Sequence, residues 1–286
     1  MGIVVNTNVG SLNAQRLLGM NTMNLGKSME KLSSGFRINK ASDDAAGMQI
    51  SEALRSNIRG NNKALDNVQD GINMMNIVDG AMGTITDSLQ RVRELAVQGA
   101  SDTLSTTQRS AITQEVRQLV TDITRIADST EFNGKKLMDG SVSAFKLQVG
   151  NESASATNSI NLASIGGVNP FAGLAGDNLA LGSTGLSANV STAGSALNLI
   201  SKIDTALGTV NQRRAAVGAM TNRLENTAKN LAISTENLSA SESRIRNVDV
   251  AKESANLTKN QILQQASSTI LAQANQAPQL ALSLLK

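Results

Sequence analysis

Apolar residues follow a seven-residue spacing over two long stretches, one in the first third of the chain and one near its end. In the first stretch they fall at Val68, Met75, Met82 and Leu89. In the second stretch the spacing runs without a break through Ile203, Val210, Val217, Leu224, Leu231 and Leu238. A sustained heptad places one apolar stripe along a helix and predicts a long partner helix. Because the chain between them can fold back, we expect these two core seams to pack antiparallel.

Polar residues that favour helix starts agree with this pattern. Ser42, Asp43 and Asp44 precede the first seam, and their side chains suit the free N–H groups and the positive end of a helix. We read the two carboxylates as a helix cap and not as an acid–base pair. The sequence therefore predicts one helix over residues 44–99 and a shorter amphipathic helix over residues 105–128.

The middle of the chain predicts less regular structure. Residues 136–138 and 145–149 have short strand patterns on either side of Asp139 and Gly140, which predicts a small β-hairpin. Residues 151–195 are rich in Ser, Ala, Asn, Gly and Thr. We expect a loosely folded surface segment there, with a small extra domain as the alternative.

The two ends carry weaker amphipathic patterns, which we call the arms. Four glycines interrupt the N-terminal arm, so it should be disordered alone and ordered only by packing. A soluble monomer rarely exposes such apolar stripes unless a partner covers them. The residues predicted to pack the arms during polymerisation are Leu12, Leu17, Leu25, Leu32, Ile262, Ile270, Leu280, Leu284 and Leu285.

Composition excludes much chemistry. The chain has no cysteine and no histidine, which removes disulfides, thiol nucleophiles, Cys/His zinc sites and histidine bases. Its net charge of +3 is mild, and without basic runs we expect no nucleic-acid binding. We also find no Sec signal peptide and no stretch long enough to insert into a membrane. The sequence predicts no enzyme, no metal site and no cofactor.

Four motifs, in order, resemble those of the bacterial flagellins. Residues 32–39 (LSSGFRIN) with 41–47 (ASDDAAG) resemble the N-terminal signature, and residues 90–98 (QRVRELAVQ) are similar to the flagellin core helix. Residues 242–249 (ESRIRNVD) and 270–276 (ILAQANQ) resemble the C-terminal signature. The resemblance covers about residues 1–150 and 196–286.

The resemblance implies a mostly α fold: a long antiparallel coiled-coil-like helical bundle with a small β-hairpin and paired N- and C-terminal helices. The implied domains are an inner terminal domain from two arms, a core domain in two parts, and a short variable segment. Their boundaries are 1–42 and 248–286 for the arms, 43–150 and 196–247 for the core, and 151–195 for the variable segment.

The resemblance also implies function and partners. Flagellins are exported unfolded through the flagellar export channel and polymerise into a filament for motility, which is extracellular, or periplasmic in a spirochaete. Implied partners are copies of the chain itself, an export chaperone, filament cap and hook–filament junction proteins, and host innate receptors. Contacts with Toll-like receptor 5 would map onto Gln90, Arg91, Leu95 and Glu115.

Two alternatives stay open at this point. A hook–filament junction protein or a minor filament subunit would share the terminal arms, and persistent monomers would favour it. A secreted coiled-coil effector or adaptor is an alternative of another class, which would not explain two matched terminal signatures.

Overall fold

The computed structural model describes residues 7–140, 145–151, 158–163, 168–173 and 189–283, with side chains as far as Gln276. Within these residues the chain forms five α-helices and four short strands. The helices are α1 (Val9–Ser34), α2 (Ala45–Gly99), α3 (Thr106–Ser129), α4 (Ala193–Arg246) and α5 (Val250–Ser283). The strands are β1 (Glu131–Phe132), β2 (Lys135–Lys136), β3 (Lys146–Gln148) and β4 (Ser159–Asn161). The mostly α fold expected from the sequence is confirmed.

Polar caps explain where the helices begin. The Asn8 side chain accepts from Ser11 N at the start of α1, and Asp44 Oδ1 accepts from Gly47 N at 2.9 Å at the start of α2. A capping box of Ser105 and Gln108 begins α3. Each oxygen satisfies an N–H that a helix start leaves free. The cap predicted at Ser42–Asp44 is thus confirmed.

The chain divides into two units, each with its own packing. The first unit contains residues 1–58 and 236–286, and the second contains residues 59–235. The helices α2 and α4 contribute residues to both units. The five domain boundaries proposed from the sequence stay a prediction.

The second unit holds the main apolar core, which we call the core bundle. Val68, Met75, Met82 and Leu89 of α2 are fully buried in it. The α4 heptad residues that are also buried there are Ile203, Val210, Val217 and Leu224. Leu231, the next residue of that heptad, is only partly buried against the same core. The sixth residue of that heptad, Leu238, is half-buried and belongs to the first unit.

Polar contacts between α2 and α4 give the direction of packing in the core bundle. Arg93 pairs with Asp204 at 2.8 Å, and Arg214 pairs with Asp79 at 3.0 Å. Farther along, Asn61 Nδ2 donates to Ser234 Oγ at 3.3 Å. Positions rise along α4 as they fall along α2, so the predicted antiparallel pairing is confirmed.

The strands pair differently from the hairpin predicted around Asp139 and Gly140. β1 pairs with β2 through a tight turn at Asn133 and Gly134, both with positive φ, and β3 pairs with β4. Leu137 and Met138 are not in a strand but are fully buried in the core. The small hairpin exists, but its predicted position was wrong. The two segments do not pair with each other: β2 pairs with β1, which precedes it in the chain, and β3 pairs with β4, which follows it.

The central segment is also more ordered than predicted where it is described. Phe171 and Val190 are fully buried, and β4 lies in this segment. Arg213 Nη1 donates to the carbonyls of Ala172 and Gly173, at 2.6 and 3.2 Å. Burial lowers the pKa of the Arg213 guanidinium, which these carbonyls solvate. The expectation of a loosely folded segment is therefore wrong for these residues.

Candidate assembly surface

The two arms of the first unit form helices that lie side by side, and we call them the arm pair. The Asn8 side chain donates to the carbonyl of Ala274, whereas Ser28, near the other end of α1, accepts from Asn260. Positions therefore rise along α1 as they fall along α5. The arm pair is antiparallel, with one helix from each end of the chain.

Small and polar side chains share the seam of the arm pair with half-buried leucines such as Leu25, which lies at the same helical spacing between Asn21 and Ser28. Among the described side chains, the buried residues of the two arm helices are Ala14, Ser28 and Ser267. Side-chain hydrogen bonds join the two helices along the seam, and we call the following five of them the polar ladder. They join Asn8 to the Ala274 carbonyl (2.7 Å), Ser11 to Asn275 (2.6 Å), Asn21 to Ser267 (2.8 Å), Gln264 to Thr22 (3.4 Å) and Asn260 to Ser28 (3.3 Å).

Large apolar side chains of the same two helices lie on the outside. Leu12 is 59% exposed and Ile262 is 63% exposed. Eight further large apolar residues of α1 and α5 are exposed: Val9, Leu17, Met20, Met23, Met29, Val250, Leu263 and Ile270. Scattered apolar residues are normal on a surface, but ten on two adjacent helices with a polar seam indicate a surface that another chain covers.

The predicted arm residues fall into three groups. Leu12, Leu17, Ile262 and Ile270 are exposed on the outside of the arm pair. Leu25 and Leu32 are half-buried. Leu280 belongs to the last part of α5, beyond the described side chains, and Leu284 and Leu285 lie outside the described residues.

The first unit also contains a tight junction where α1 ends and α5 begins. Gly35 ends α1 with a φ of 73°, and its carbonyl accepts from Val248 N at 3.0 Å. Arg37 N donates to the Arg246 carbonyl at 2.6 Å, and Phe36 forms a β-bridge with Asn247. Backbone bonds therefore hold the exit from α1 against the link between α4 and α5.

The Arg246 side chain is the centre of this junction. It is 8% exposed, its guanidinium lies 4.8 Å from the centre of the Phe36 ring, and Nη1 donates to Glu52 at 2.8 Å. The hydrogen bond from Arg246 is the main reason that the pKa of Glu52 lies below its ordinary value. A planar, weakly hydrated guanidinium can stack and pair at once, which an ammonium does less well.

The short link between α1 and α2 is fixed by a second carboxylate. Asp43 Oδ2 accepts from the backbone N–H groups of Asn39 and Lys40, at 3.1 and 3.0 Å. These two bonds lower the pKa of Asp43. Lys40 also pairs with Glu30 at 2.8 Å, and this pair lowers the pKa of Glu30.

The four residues suggested for receptor contact lie together in the core bundle, with different exposure. Arg91 pairs with Glu115 at 3.0 Å and with Glu94 at 3.1 Å, all on the surface. Gln90 is also exposed, whereas Leu95 is 2% exposed and packs in the core. Three of the four can therefore face a partner directly, and Leu95 supports their helix from below.

Other classes of site find no support in the described part of the chain. Its carboxylates form no cluster of three or more that could hold a metal ion. None of the helices searched there has an apolar stretch that could cross a bilayer.

Sequence reasoning missed the polar ladder and the junction. The ladder residues Asn21, Ser28, Asn260 and Ser267 are small polar residues at helical spacing, and their recurrence in both arms was the available signal. The junction residues Phe36 and Arg246 lie inside the quoted motifs, but nothing in the sequence pairs them.

Comparisons with known proteins agree with the motifs. Residues 5–143 match the family described as bacterial flagellin N-terminal helical region, and residues 200–285 match its C-terminal helical region. A flagellin of Halalkalibacterium halodurans is 44% identical over 285 residues, which cover 99% of this chain and all of that protein. A flagellar filament 33 kDa core protein of Treponema phagedenis is 41% identical over 296 aligned residues, with 99% and 100% covered.

A solved structure agrees with the fold. A putative flagellar hook-associated protein of Vibrio parahaemolyticus superposes with a TM-score of 0.56 over 72% of this chain and all of that one. Its sequence identity of 14% limits this likeness to the fold. With both terminal regions matched and relatives above 40% identity over the whole length, the chain belongs to the bacterial flagellin family, a family of structural proteins and not of enzymes.

Proposed function

We propose that the chain is the structural subunit of a flagellar filament and that it polymerises by burying the outer face of its arm pair against other copies. The observation that carries this proposal is the arm pair, which has polar hydrogen bonds along its seam and ten large apolar side chains outside. A helix pair with that arrangement buries only part of its large apolar side chains in its own seam. It gains much more when the outer face is covered.

The free energy gained by burying this outer face can be estimated from its apolar side chains. Full burial of a Leu, Ile or Met side chain contributes about 1.5–3 kcal/mol, and half-exposed residues have about half of that left to gain. About 1 kcal/mol for each of ten side chains amounts to about 10 kcal/mol, which is comparable to the loss of freedom of an assembling subunit. Folding of the arms is thereby coupled to assembly.

The same arrangement supports export of an unfolded chain. Helices with a polar seam are marginal alone, and a chain without cysteine has no disulfide to block unfolding. Under this proposal the chain passes through the flagellar export channel with the help of a chaperone. It then meets the filament cap and junction proteins, in an extracellular filament or, in a spirochaete, a periplasmic one.

The test replaces two exposed apolar residues of α1 by glutamine and compares the result with the same replacement at the two neighbouring asparagines. Leu12→Gln with Met23→Gln removes two large apolar side chains from the outer face of α1. Asn13→Gln with Asn24→Gln, one position along in each case, is the matched control. At about 1–1.4 kcal/mol per residue, the first variant should raise the critical concentration for seeded assembly roughly 30- to 100-fold. Sedimentation and electron microscopy measure it, and equal assembly of both variants would contradict the proposal.

We propose in addition that innate receptors contact the exposed part of the Gln90, Arg91 and Glu115 group. The geometry that supports this is one surface cluster made by two neighbouring helices. Arg91→Ala should lower the signal of a Toll-like receptor 5 reporter cell, whereas Arg125→Ala, on another exposed part of α3, should not. Equal signals from both variants would reject this assignment.

A further inference from the structure

The polar ladder occupies seam positions that a helix pair would normally fill with apolar residues, and it alternates with half-buried leucines. Ser28 and Ser267 are less than 10% exposed, and each accepts from an asparagine of the opposite helix. Asn21 Nδ2 also reaches the Leu263 carbonyl at 3.4 Å. The two serine hydroxyls are shielded from water, and each is hydrogen-bonded by a half-buried asparagine of the opposite helix.

A shifted register would break these matches together. Moving α5 by one turn relative to α1 would leave Ser267 opposite a different part of α1 and would leave Asn21 without its present acceptors. A buried polar group without a partner is costly, because its bonds to water are not replaced. A single polar residue in a helix seam is known to select register in this way, at a cost in stability.

Burial of apolar side chains alone would not select this pairing of the arms. Both helices carry large exposed side chains, so two arms could also pair through those outer faces, within one chain or between chains, and in more than one register. Non-directional burial does not distinguish among these arrangements. The ladder distinguishes these arrangements, since its asparagine and serine side chains form these hydrogen bonds in the antiparallel register of the structure.

We infer that the polar ladder, and Asn21 and Asn260 above all, is the specificity determinant of the arm pair. It selects antiparallel pairing of α1 with α5 of the same chain in one register, and so leaves the apolar outer face free for other copies. This inference rests on the proposed function, because the outer face needs to be kept free only in a chain that polymerises.

The absence of cysteine makes the register measurable by cross-linking. Ser11 Oγ and Asn275 Oδ1 are 2.6 Å apart, so Ser11→Cys with Asn275→Cys should form a disulfide within one chain. Filaments are seeded, oxidised, dissolved and run without reductant. A cross-link within a chain gives a fast-migrating monomer, and one between chains gives a dimer.

The cross-linking pair is placed in two backgrounds of equal added hydrophobicity. Asn21→Leu with Asn260→Leu removes two rungs of the ladder, whereas Asn13→Leu with Asn24→Leu adds the same side chains at exposed positions. The control should keep the intrachain disulfide of the parent. The ladder variant should lose it at least about tenfold, with interchain dimers in its place.

Equal intrachain yields in the two backgrounds would overturn the inference. If the ladder variant does not assemble by itself, it is tagged and co-assembled with an excess of wild-type chain, and its disulfide is read in those filaments. If the wild-type chain itself forms no filament on seeds, the proposed function fails, and the inference that rests on it fails with it. Equal intrachain yields in filaments that do form would reject the inference alone.

Discussion

The core bundle and the arm pair are both antiparallel helix pairs, and they place their side chains in opposite ways. In the core bundle the heptad residues of α2 and α4 are buried, and charged pairs such as Arg93–Asp204 lie on the surface. In the arm pair asparagine and serine share the seam with half-buried leucines, and ten further large apolar side chains lie outside. The first arrangement is complete within one chain. Under the proposed function, the second is completed by other chains.

This difference predicts that replacing a leucine by alanine has different effects on monomer stability in the two regions. It is the largest effect that we expect. Leu89→Ala in the core bundle should lower the free energy of unfolding of the monomer by about 2–5 kcal/mol, because it leaves a cavity at a fully buried position. Leu12→Ala on the outer face should change it by less than about 0.5 kcal/mol. Denaturant unfolding of the unassembled chain measures both.

Assembly should reverse the order of the two variants. Leu12→Ala should raise the critical concentration for seeded polymerisation, whereas any Leu89→Ala chain that folds should assemble much as the parent does. A monomer destabilised equally by both substitutions would mean that the arm face is already covered within one chain.

A second, smaller effect concerns the turn that ends α2 in the core bundle. The buried guanidinium of Arg109 donates to the carbonyls of Gly99 and Ser101, at 2.6 and 2.8 Å, and so satisfies groups that a helix end leaves free. Arg109→Met keeps much of the volume but removes these donors, and should cost about 2 kcal/mol in unfolding free energy.

The matched control for that turn is Arg125→Met, since Arg125 lies on the same helix α3 but is mostly exposed and pairs with Asp122 one turn before it. It should be within about 0.5 kcal/mol of the parent. Thermal unfolding followed by circular dichroism separates the two variants, and equal melting temperatures would show that the α2 end does not need the cap.

Much of this fold could be predicted because its signals are local and repeated. Seven-residue spacing and capping residues gave the bounds of α2 to within one residue, and gave the antiparallel pairing of α2 with α4. The β3–β4 pairing could not be predicted in this way. A three-residue strand carries little information, and β4 lies within a segment of small polar residues whose composition favours loops.

The candidate surface was less predictable for a different reason. Periodicity shows which side of a helix is apolar, but not whether that side faces its own chain or another copy, so the polar seam of the arm pair was not foreseen. A resemblance has a similar limit. It proposed Leu95 as a contact residue, and only packing shows that this side chain is buried beside the exposed Arg91.

The smallest effect that we predict is a pH dependence of the junction in the first unit. The pKa of Glu52 is lowered chiefly by its hydrogen bond from Arg246, so the folded junction binds a proton less readily than the unfolded chain does. The stability from this pair is therefore complete above the ordinary glutamate pKa of 4.5 and is lost as the pH falls through the lowered value. Asp43 should act in the same direction.

Acid should thus loosen the junction, and nuclear magnetic resonance can follow it through the amide signals of Arg37 and Val248, whose N–H groups bond across the junction. Glu52→Gln keeps a hydrogen-bond acceptor but cannot titrate, so the shift of these signals between pH 5 and 3.5 should shrink in that variant. Glu236→Gln, at an exposed position of α4, should leave the shift as it is in the parent. If both variants titrate like the parent, the Arg246–Glu52 pair does not hold the junction, and the backbone bonds around Gly35 do so alone.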